Sequence, residues 1–422
     1  MTSEAVLATY ASMETTLKTK SRLDGAMQRN LFLLTVCQAI GQSANTMMFT
    51  ATALSVVTFF PNRGLATLPV TMQHLGVMLW VFPAAMLMQR MGRRFGFRVG
   101  SLFGMAGAAT CASGLYFANF PLMCLGGLIL GYAVASLQMY RFAAVELVPA
   151  DFRAKAIARV TTGGVAAGMI GPAVANWSFD KLMPFYFATY LSMIGVHIVV
   201  FTVMSFIEFP PVPPTASSKP AEPPRGLWEI ASQPRYAASV IASMIAFGTM
   251  SFLMGASPLA IVGCGLSHAE AHWVIFLHVM GMFVPSFFTG NLIGRFGVLN
   301  VMFVGAAILL GGVAAALLGL SEWNFRIALT LNGVGWNFLY VGATTLVTTC
   351  YRPSERAKAQ AMNDFLVFGT TATASFLAGF LQDRLGWVPL NQASIGLILV
   401  SVVAVAWLWL QQRQAALAPK LA

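Results

Sequence analysis

The sequence predicts an all-α protein that crosses a membrane many times. Of its 422 residues, 57% are hydrophobic and only 9% are charged, whereas a soluble domain carries about a quarter charged residues. Apolar runs of about 20 residues, the length that spans roughly 30 Å of hydrocarbon, recur along the chain. A proline-rich segment separates these runs into two sets. We therefore expect twelve transmembrane helices arranged in two six-helix halves.

Polar, charged or glycine- and proline-containing loops set the ends of the predicted helices. The first half, 30–207, is expected to hold helices near 30–56, 66–88, 97–117, 121–147, 156–178 and 184–207. The second half, 236–410, is expected to hold helices near 236–259, 270–291, 298–319, 325–347, 362–382 and 389–410. Between them, 208–235 contains eight prolines, a composition typical of an extended linker. Polar tails are expected at 1–29 and 411–422.

Positive charge is distributed unevenly over the predicted loops. Of the 25 Lys and Arg residues, four fall on one side of the predicted membrane: Arg63, Lys181, Arg326 and Arg384. Loops rich in Lys and Arg stay in the cytoplasm, so both tails are expected there. We predict a multi-pass protein of the bacterial inner membrane. Its net charge of +11 is expected to face anionic lipid rather than nucleic acid.

Several other classes of protein do not fit the sequence. The segment 1–29 lacks the short apolar core of a cleaved signal peptide. The five cysteines are scattered without a C-x-x-C pair, so neither a disulfide framework nor a zinc site is expected. No phosphate-binding loop and no nucleophile–base pair stands in a plausible context. We therefore expect no enzyme activity and no cofactor.

The two halves share short motifs at a nearly constant offset. The pairs are 89–94 (QRMGRR) with 294–297 (GRFG), 153–156 (RAKA) with 356–359 (RAKA), and 180–182 (DKL) with 383–385 (DRL). Their offsets are 205, 203 and 203 residues. Three matches at one spacing indicate an internal repeat of six helices, the plan of many secondary transporters.

At these loops the chain resembles the major facilitator superfamily. The family's signature after the second helix has a Gly, an acid, an Arg and a second Gly. Here Ala85 replaces the first Gly and Gln89 replaces the acid, while the second copy keeps Arg295 and Gly297 but has Gly294 at the acid position. The resemblance implies two halves that rock around a central site to give alternating access.

Two pairs of residues in the second half predict a metal site. Met250 and Met254 are four residues apart in one predicted helix, and His278 and Met282 are four apart in the next. Residues at this spacing share a helix face, and the 1.5 Å rise per residue places all four at overlapping depths. Thioethers and imidazole are ligands that suit Cu(I). Core packing is the alternative interpretation.

Prolines lie beside both pairs. Pro258 cannot donate to the carbonyl of Met254, and Pro285 cannot donate to that of Gly281. We therefore predict kinked or broken helices at both positions.

A second copy of the histidine pair lies in the first half. His74 and Met78 precede His278 and Met282 by 204 residues, close to the repeat offset. The helix before them carries Met47 and Met48. The sequence therefore predicts either a second soft-metal site or a relay site; the alternative is a relic of duplication.

The four-residue pairs also resemble those of the CcoA-type copper importers, a branch of the major facilitators. The resemblance implies copper uptake for maturation of cbb3-type cytochrome c oxidase, with Met250, Met254, His278 and Met282 as metal ligands. It also implies a thiol at Cys264. As downstream partners we expect a cytoplasmic copper chaperone or a copper exporter. We expect a monomer. The branch is similar to some riboflavin importers, so an organic solute is the alternative substrate.

Histidines and charges near the helix ends form further candidates. His268 and His272 lie at the predicted outer mouth, either to capture copper or, as we favour, as solvated interface residues. Ser267 and Glu270 predict a capping box at the start of the helix. Elsewhere, Arg141 could bind an anion or form a gate with Glu146, and Asp364 could take protons or pair with Arg356.

Polar residues in two predicted helices indicate a hydrated path. They are Gln38, Gln42, Asn45 and Thr46 in the first helix and Asn332, Trp336 and Asn337 in the tenth. They also fit an organic solute that has hydrogen-bonding edges and a ring. A copper sensor without transport, and transport in the outward direction, stay open as alternatives.

Overall fold

The computed structural model describes residues 24–149, 152–209, 225–352 and 355–417, and every regular element in these ranges is a helix. Most of the predicted N-terminal tail, the linker residues 210–224 and the last residues of the C-terminal tail lie outside them. We call residues 24–209 the N-half and residues 225–417 the C-half.

The described part of the N-half contains eight α-helices. They are α1 (Gly25–Val56), α2 (Leu68–Met91), α3 (Arg93–Tyr116), α4 (Phe120–Gln138), α5 (Tyr140–Glu146), α6 (Arg153–Thr161), α7 (Gly163–Ser178) and α8 (Phe187–Ser205). A short 3-10 helix, Arg63–Leu65, precedes α2. Two predicted spans are divided, since α4 and α5 meet at Met139 and α6 and α7 meet at Thr162.

The described part of the C-half also contains eight. They are α9 (Leu227–Ala231), α10 (Pro234–Gly263), α11 (His268–Phe283), α12 (Ser286–Phe296), α13 (Val298–Leu317), α14 (Glu322–Thr348), α15 (Arg356–Leu385) and α16 (Trp387–Leu417). A bend of 40° separates α11 from α12, at the position where Pro285 lacks an N–H donor. By contrast, α10 continues through Pro258 as one helix, so no break follows that proline.

When the three divided pairs are joined and the short helix α9 is set aside, the described residues form twelve rod-like segments, as the sequence predicts. Seven helices of the described residues are long and apolar enough to cross a membrane, and the bent pair of α11 and α12 is an eighth. Large apolar side chains cover the outside: Trp177, Leu318 and Val403 are 65%, 84% and 67% exposed. Such a surface requires lipid around it. The protein is therefore a multi-pass helical membrane protein.

Local signals fix several helix ends. The Asp24 carboxylate accepts a bond from the Met27 amide at 2.7 Å and so caps α1. Gly92 ends α2 with φ of 87°, and Gly297 ends α12 with φ of 85°. This positive φ favours glycine because other residues have a Cβ. The two glycines lie in the repeated loops, so the repeat extends to backbone conformation.

The two halves contact each other at one end of the bundle, which contains the loops 57–67, 179–186 and 264–267. We call it the closed end, and the opposite end, at Gly92 and Gly297, the open end. The Thr67 hydroxyl donates to the carbonyl of Ser375 at 2.7 Å across the halves. The halves also meet near the middle of the bundle, where Gly168 lies so close to Met280 that a Cβ would be 2.5 Å from its methyl carbon. Small residues allow this approach.

Glu355 anchors the end of the linker at the open end. Its carboxylate accepts from Arg225 Nη2 at 2.7 Å and from the Arg352 amide at 3.0 Å. The Arg225 guanidinium holds the pKa of Glu355 well below its ordinary value. Arg225 is thereby fixed to the loop between α14 and α15. The short helix α9 follows it, where the sequence predicts extended linker.

Candidate functional site

A cavity lies between the halves and reaches from the middle of the bundle toward the open end. It encloses about 1270 Å³, including the space at its mouth. Helices α1, α2, α4, α5 and α6 line it from the N-half, and α10, α11, α12, α14 and α15 line it from the C-half. Because both halves contribute side chains, the cavity is the candidate site.

Amide side chains form the N-half wall of this cavity. Gln38, Gln42 and Asn45 follow one face of α1 at spacings of four and three residues. Gln73 and His74 extend the wall from α2. Gln73 Oε1 and His74 Nδ1 are buried without a hydrogen-bond partner among the described residues, a state that costs roughly 1–3 kcal/mol per group. Both atoms are shielded from solvent within the wall.

Aromatic rings form the C-half wall. Trp336 and Tyr340, one turn apart on α14, are stacked with ring centroids 5.1 Å apart and an angle of 20° between planes. Phe247 of α10 meets these two rings edge-on at 5.1 and 4.7 Å, and Phe368 of α15 is 5.9 Å from Phe247. Such a wall favours flat, apolar ring systems.

Asn337 joins the cavity to the bend between α11 and α12. Its Nδ2 donates to the carbonyl of Met282 and to the hydroxyl of Ser286, both at 2.7 Å. Its Oδ1 accepts from the Thr289 hydroxyl at 2.6 Å. These bonds satisfy polar groups at the bend, where the helical ladder is interrupted. Asn337 also lines the cavity, so one side chain serves both features.

The four predicted copper ligands take two different positions. Met250, Met254 and Met282 line the cavity, and His278 is not part of that lining. His278 is fully buried, and its Nδ1 lies 2.8 Å from the carbonyl of Leu329 on α14. Its Nε2 has no partner in the described chain. The structure therefore brings three thioethers to one cavity and turns the imidazole toward α14.

The second predicted site is not assembled. His74 lines the cavity, and the sulfur of Met78 lies beside Gly369 of the C-half. Met47 and Met48, however, are fully buried in the core. The reason is the helical period: Asn45, Thr46 and Phe49 of α1 face the cavity, so Met47 and Met48 point to other sides of α1.

The residues predicted at the entrance lie at the closed end. Cys264 follows α10 and is exposed; partial burial raises the pKa of its thiol. His268 Nδ1 lies 2.7 Å from the hydroxyl of Tyr186, and His272 Nδ1 lies 2.9 Å from Oδ1 of Asn176. Both imidazoles thus contact the N-half. The prediction of solvated interface residues is wrong for His272, which is buried.

The predicted capping box is half formed. The Ser267 hydroxyl accepts from the Glu270 amide at 3.1 Å and caps α11. The Glu270 carboxylate does not return to Ser267, because it binds Arg326 of α14 at 2.5 Å.

The predicted gate between Arg141 and Glu146 is not formed. Glu146 binds Arg93 of α3 at 2.7 Å. Arg141 lines the cavity and interacts electrostatically with Asp364 of α15. Five residues on a helix correspond to about 140° of rotation, so Arg141 and Glu146 point in different directions. The side chain of Arg356, the predicted partner of Asp364, lies outside the described structure.

Most of the polar path predicted from the sequence does line the cavity. The lining includes six of those residues: Gln38, Gln42, Asn45, Thr46, Trp336 and Asn337. Asn332 is buried elsewhere. Sequence reasoning missed Gln73, Tyr340 and Phe247. Tyr340 could have been found, since it follows Trp336 by one turn, whereas nothing distinguishes Phe247 from other aromatic residues of apolar helices.

Twelve rods in two halves around a central cavity define a membrane transporter of the secondary type. The chain belongs to the Major Facilitator Superfamily, whose family model matches residues 31–267 and 239–421. This membership confirms the resemblance to the superfamily. The resemblance to the copper-importing branch stays a prediction.

Curated relatives and solved structures agree with this membership. The riboflavin transporter RfnT of Brucella anthropi is 38% identical over 369 residues, which cover 87% of this chain and 92% of RfnT. The uncharacterized transporter YddS of Bacillus subtilis is 25% identical, over a match that covers 90% of this chain and 91% of YddS. A solved structure of the xylose transporter XylE of E. coli, in a partially occluded inward-open conformation, matches with a TM-score of 0.68. The sequence identity is 13%, and the match covers 92% of this chain and 98% of XylE.

Proposed function

We propose that the protein imports riboflavin or a closely related solute with a flat heteroaromatic ring. The observation that carries this proposal is the division of the cavity into an aromatic C-half wall and an amide N-half wall. A flat ring can pack on Trp336 and Tyr340. Its carbonyl and N–H groups can bond to the amide and imidazole side chains of the N-half wall. The similarity to RfnT favours this substrate over copper.

The opening of the cavity at one end of the bundle supports transport of a solute into the cell. The space between the halves, with the solvent at its mouth included, is about 1270 Å³. Four Lys and Arg residues fall on the side of the predicted membrane that has little positive charge. All four lie at the closed end, among them Arg63 and Arg326. The positive-inside rule then assigns the open end to the cytoplasm, and the conformation is the one that releases an imported solute inward.

Uptake by cells tests the proposal. The host is a riboflavin auxotroph without its own importer, and labelled riboflavin is measured in cells with equal amounts of the protein in the membrane. We expect uptake by the wild type and an increase of about thirtyfold in KM for Trp336→Ala, since removal of a packed ring costs about 2 kcal/mol. The matched control is Trp228→Ala on α9, where the side chain is 83% exposed and uptake should not change. Absence of riboflavin uptake by the wild type would refute the proposal.

Copper is the second candidate substrate, and a specific observation supports it. The carbonyl of Leu329 accepts from His278 Nδ1, so the neutral imidazole carries its lone pair on Nε2, which has no partner. Metal-binding histidines characteristically donate their other N–H in this way. Three thioethers line the neighbouring cavity. Oxidase maturation and a cytoplasmic copper chaperone as partner belong to this candidate alone.

Labelled copper uptake distinguishes the two candidates. A copper importer should lose uptake on Met250→Leu, which removes a thioether and keeps the volume. A protein that imports copper should show no riboflavin uptake. A riboflavin importer should show no copper uptake above control cells, and Met250→Leu should leave its riboflavin KM unchanged within twofold.

A further inference from the structure

The closed end contains a cluster that connects the halves through two histidines. His268 and His272 lie one turn apart on α11 of the C-half. Their partners, Tyr186 and Asn176, belong to the N-half, at 2.7 and 2.9 Å. Phe179 stacks on His268 with centroids 5.9 Å apart and planes 7° apart, and lies 6.0 Å from His272. We call these five residues the latch.

The two imidazoles of the latch respond differently to protonation. The amide oxygen assigned to Asn176 can only accept, so His272 Nδ1 carries the proton in this contact. The other nitrogen, Nε2, is buried without a partner. A proton bound there would add a buried charge and an unsatisfied N–H, which disfavours the closed contact.

His268 can accept a proton at lower cost. The hydroxyl of Tyr186 can donate to a neutral imidazole or accept from a charged one. Phe179, which stacks on the ring, would attract an imidazolium through its face. The closed contact is therefore compatible with either charge state of His268.

Neighbouring charges do not compensate a positive His272. The ionisable groups around it are His268, Tyr186 and the ion pair of Glu270 and Arg326, whose atoms are 2.5 Å apart. In that pair both Glu270 oxygens accept from Arg326. Among the described residues of the latch region, no carboxylate bonds to His272. Its charge state is thus the variable that decides the stability of the contact.

We propose that His272 is a proton-sensitive gate residue of the transport cycle. Neutral His272 holds the halves together at the closed end. A proton from the solvent binds its Nε2 lone pair, adds one positive charge and releases the contact between α7 and α11. The latch is therefore intact at neutral and higher pH and is lost as pH falls through the range in which an imidazole titrates, near 6.5 in water. Acidity favours the conformation open at that end.

Distance measurements between spin labels test the latch without any solute. Labels at Lys181 and Trp323, both exposed, report the separation of the halves in purified protein, with Cys264→Ser as background. We expect the ratio of open to closed populations to rise about tenfold from pH 8 to pH 5, the effect of a difference of one unit in proton affinity. His272→Asn keeps an N–H donor near the Nδ1 position and cannot be protonated, so its distances should not respond to pH.

The matched control is His268→Asn, whose response to pH should equal that of the wild type. A wild type that shows no change with pH, or a His272→Asn variant that opens in acid, overturns the proposal. If His272→Asn does not fold, Asn176→Asp replaces it. A carboxylate at that position would neutralise charged His272, so the opening should move to lower pH; opening at the wild-type pH would contradict the proposal.

Discussion

The two walls of the cavity use polar residues in different ways. On the N-half wall, Gln73 Oε1 and His74 Nδ1 are buried without a partner. In the C-half, His278 bonds to the carbonyl of Leu329, and Asn337 bonds to three groups at the bend of α11 and α12. The N-half wall therefore presents amide side chains to a solute, whereas the aromatic C-half wall contributes one unpaired polar atom, Nε1 of Trp336. In the C-half these polar groups maintain the helices, and aromatic rings face the solute.

The comparison is sharpest for the two histidines related by the repeat. His74 and His278 are each followed by a methionine four residues later. His74 lines the cavity and lies 5.5 Å from the ring of Phe49, whereas His278 is bound to α14. The repeated motif thus places both histidines at equivalent positions of equivalent helices, but it does not determine which groups their side chains contact. Partners depend on the neighbouring helices, which differ between the halves.

Asn337→Ala should have the largest effect on stability. The substitution removes three hydrogen bonds at the bend and leaves buried groups unsatisfied, a loss of about 3 kcal/mol in the free energy of unfolding. The measurement is thermal or denaturant unfolding of the purified protein in detergent. Gln73→Ala is the matched control on the opposite wall and should cost less than about 1 kcal/mol. Equal losses would show that the walls do not differ as described.

His278→Ala should destabilise the protein by about 2 kcal/mol, through loss of the bond to Leu329 and a buried cavity. Riboflavin affinity per folded molecule should stay within twofold of the wild type, because the imidazole does not line the cavity. Unfolding and equilibrium binding on the same preparation separate the two effects. A large loss of affinity with unchanged stability would place His278 in the solute site instead.

The sequence predicts the fold better than it predicts the site. Apolar runs, charge placement and the repeated loops determine twelve helices in two halves, because each depends on local composition. The polar residues of α1 were found because Gln38, Gln42 and Asn45 share a helical face. The pairing of Glu146 with Arg93 and of His272 with Asn176 joins residues far apart in the chain. Helical spacing contains no information about such contacts.

His74→Ala should weaken riboflavin binding about tenfold, or about 1.4 kcal/mol. The solute would lose one hydrogen-bond partner and the edge of a ring beside Phe49. Stability should change less than for His278→Ala, since the imidazole Nδ1 has no partner to lose. Equilibrium binding and unfolding on one preparation test both statements. Reversed effects for the two histidines would exchange the roles assigned to the walls.

Met282→Leu should have the smallest effect on transport and stability. It also tests whether the C-half wall binds a ring or a copper ion. Leucine preserves the volume and apolar character of the side chain, so riboflavin KM and stability should stay within twofold and about 1 kcal/mol of the wild type. The thioether, however, is lost. If the C-half wall only packs against a ring, Met282→Leu and Met254→Leu together remain close to wild type in riboflavin uptake. A loss of transport in these variants, with normal folding, would mean that sulfur itself is required, and the C-half wall would then act as a soft-metal surface.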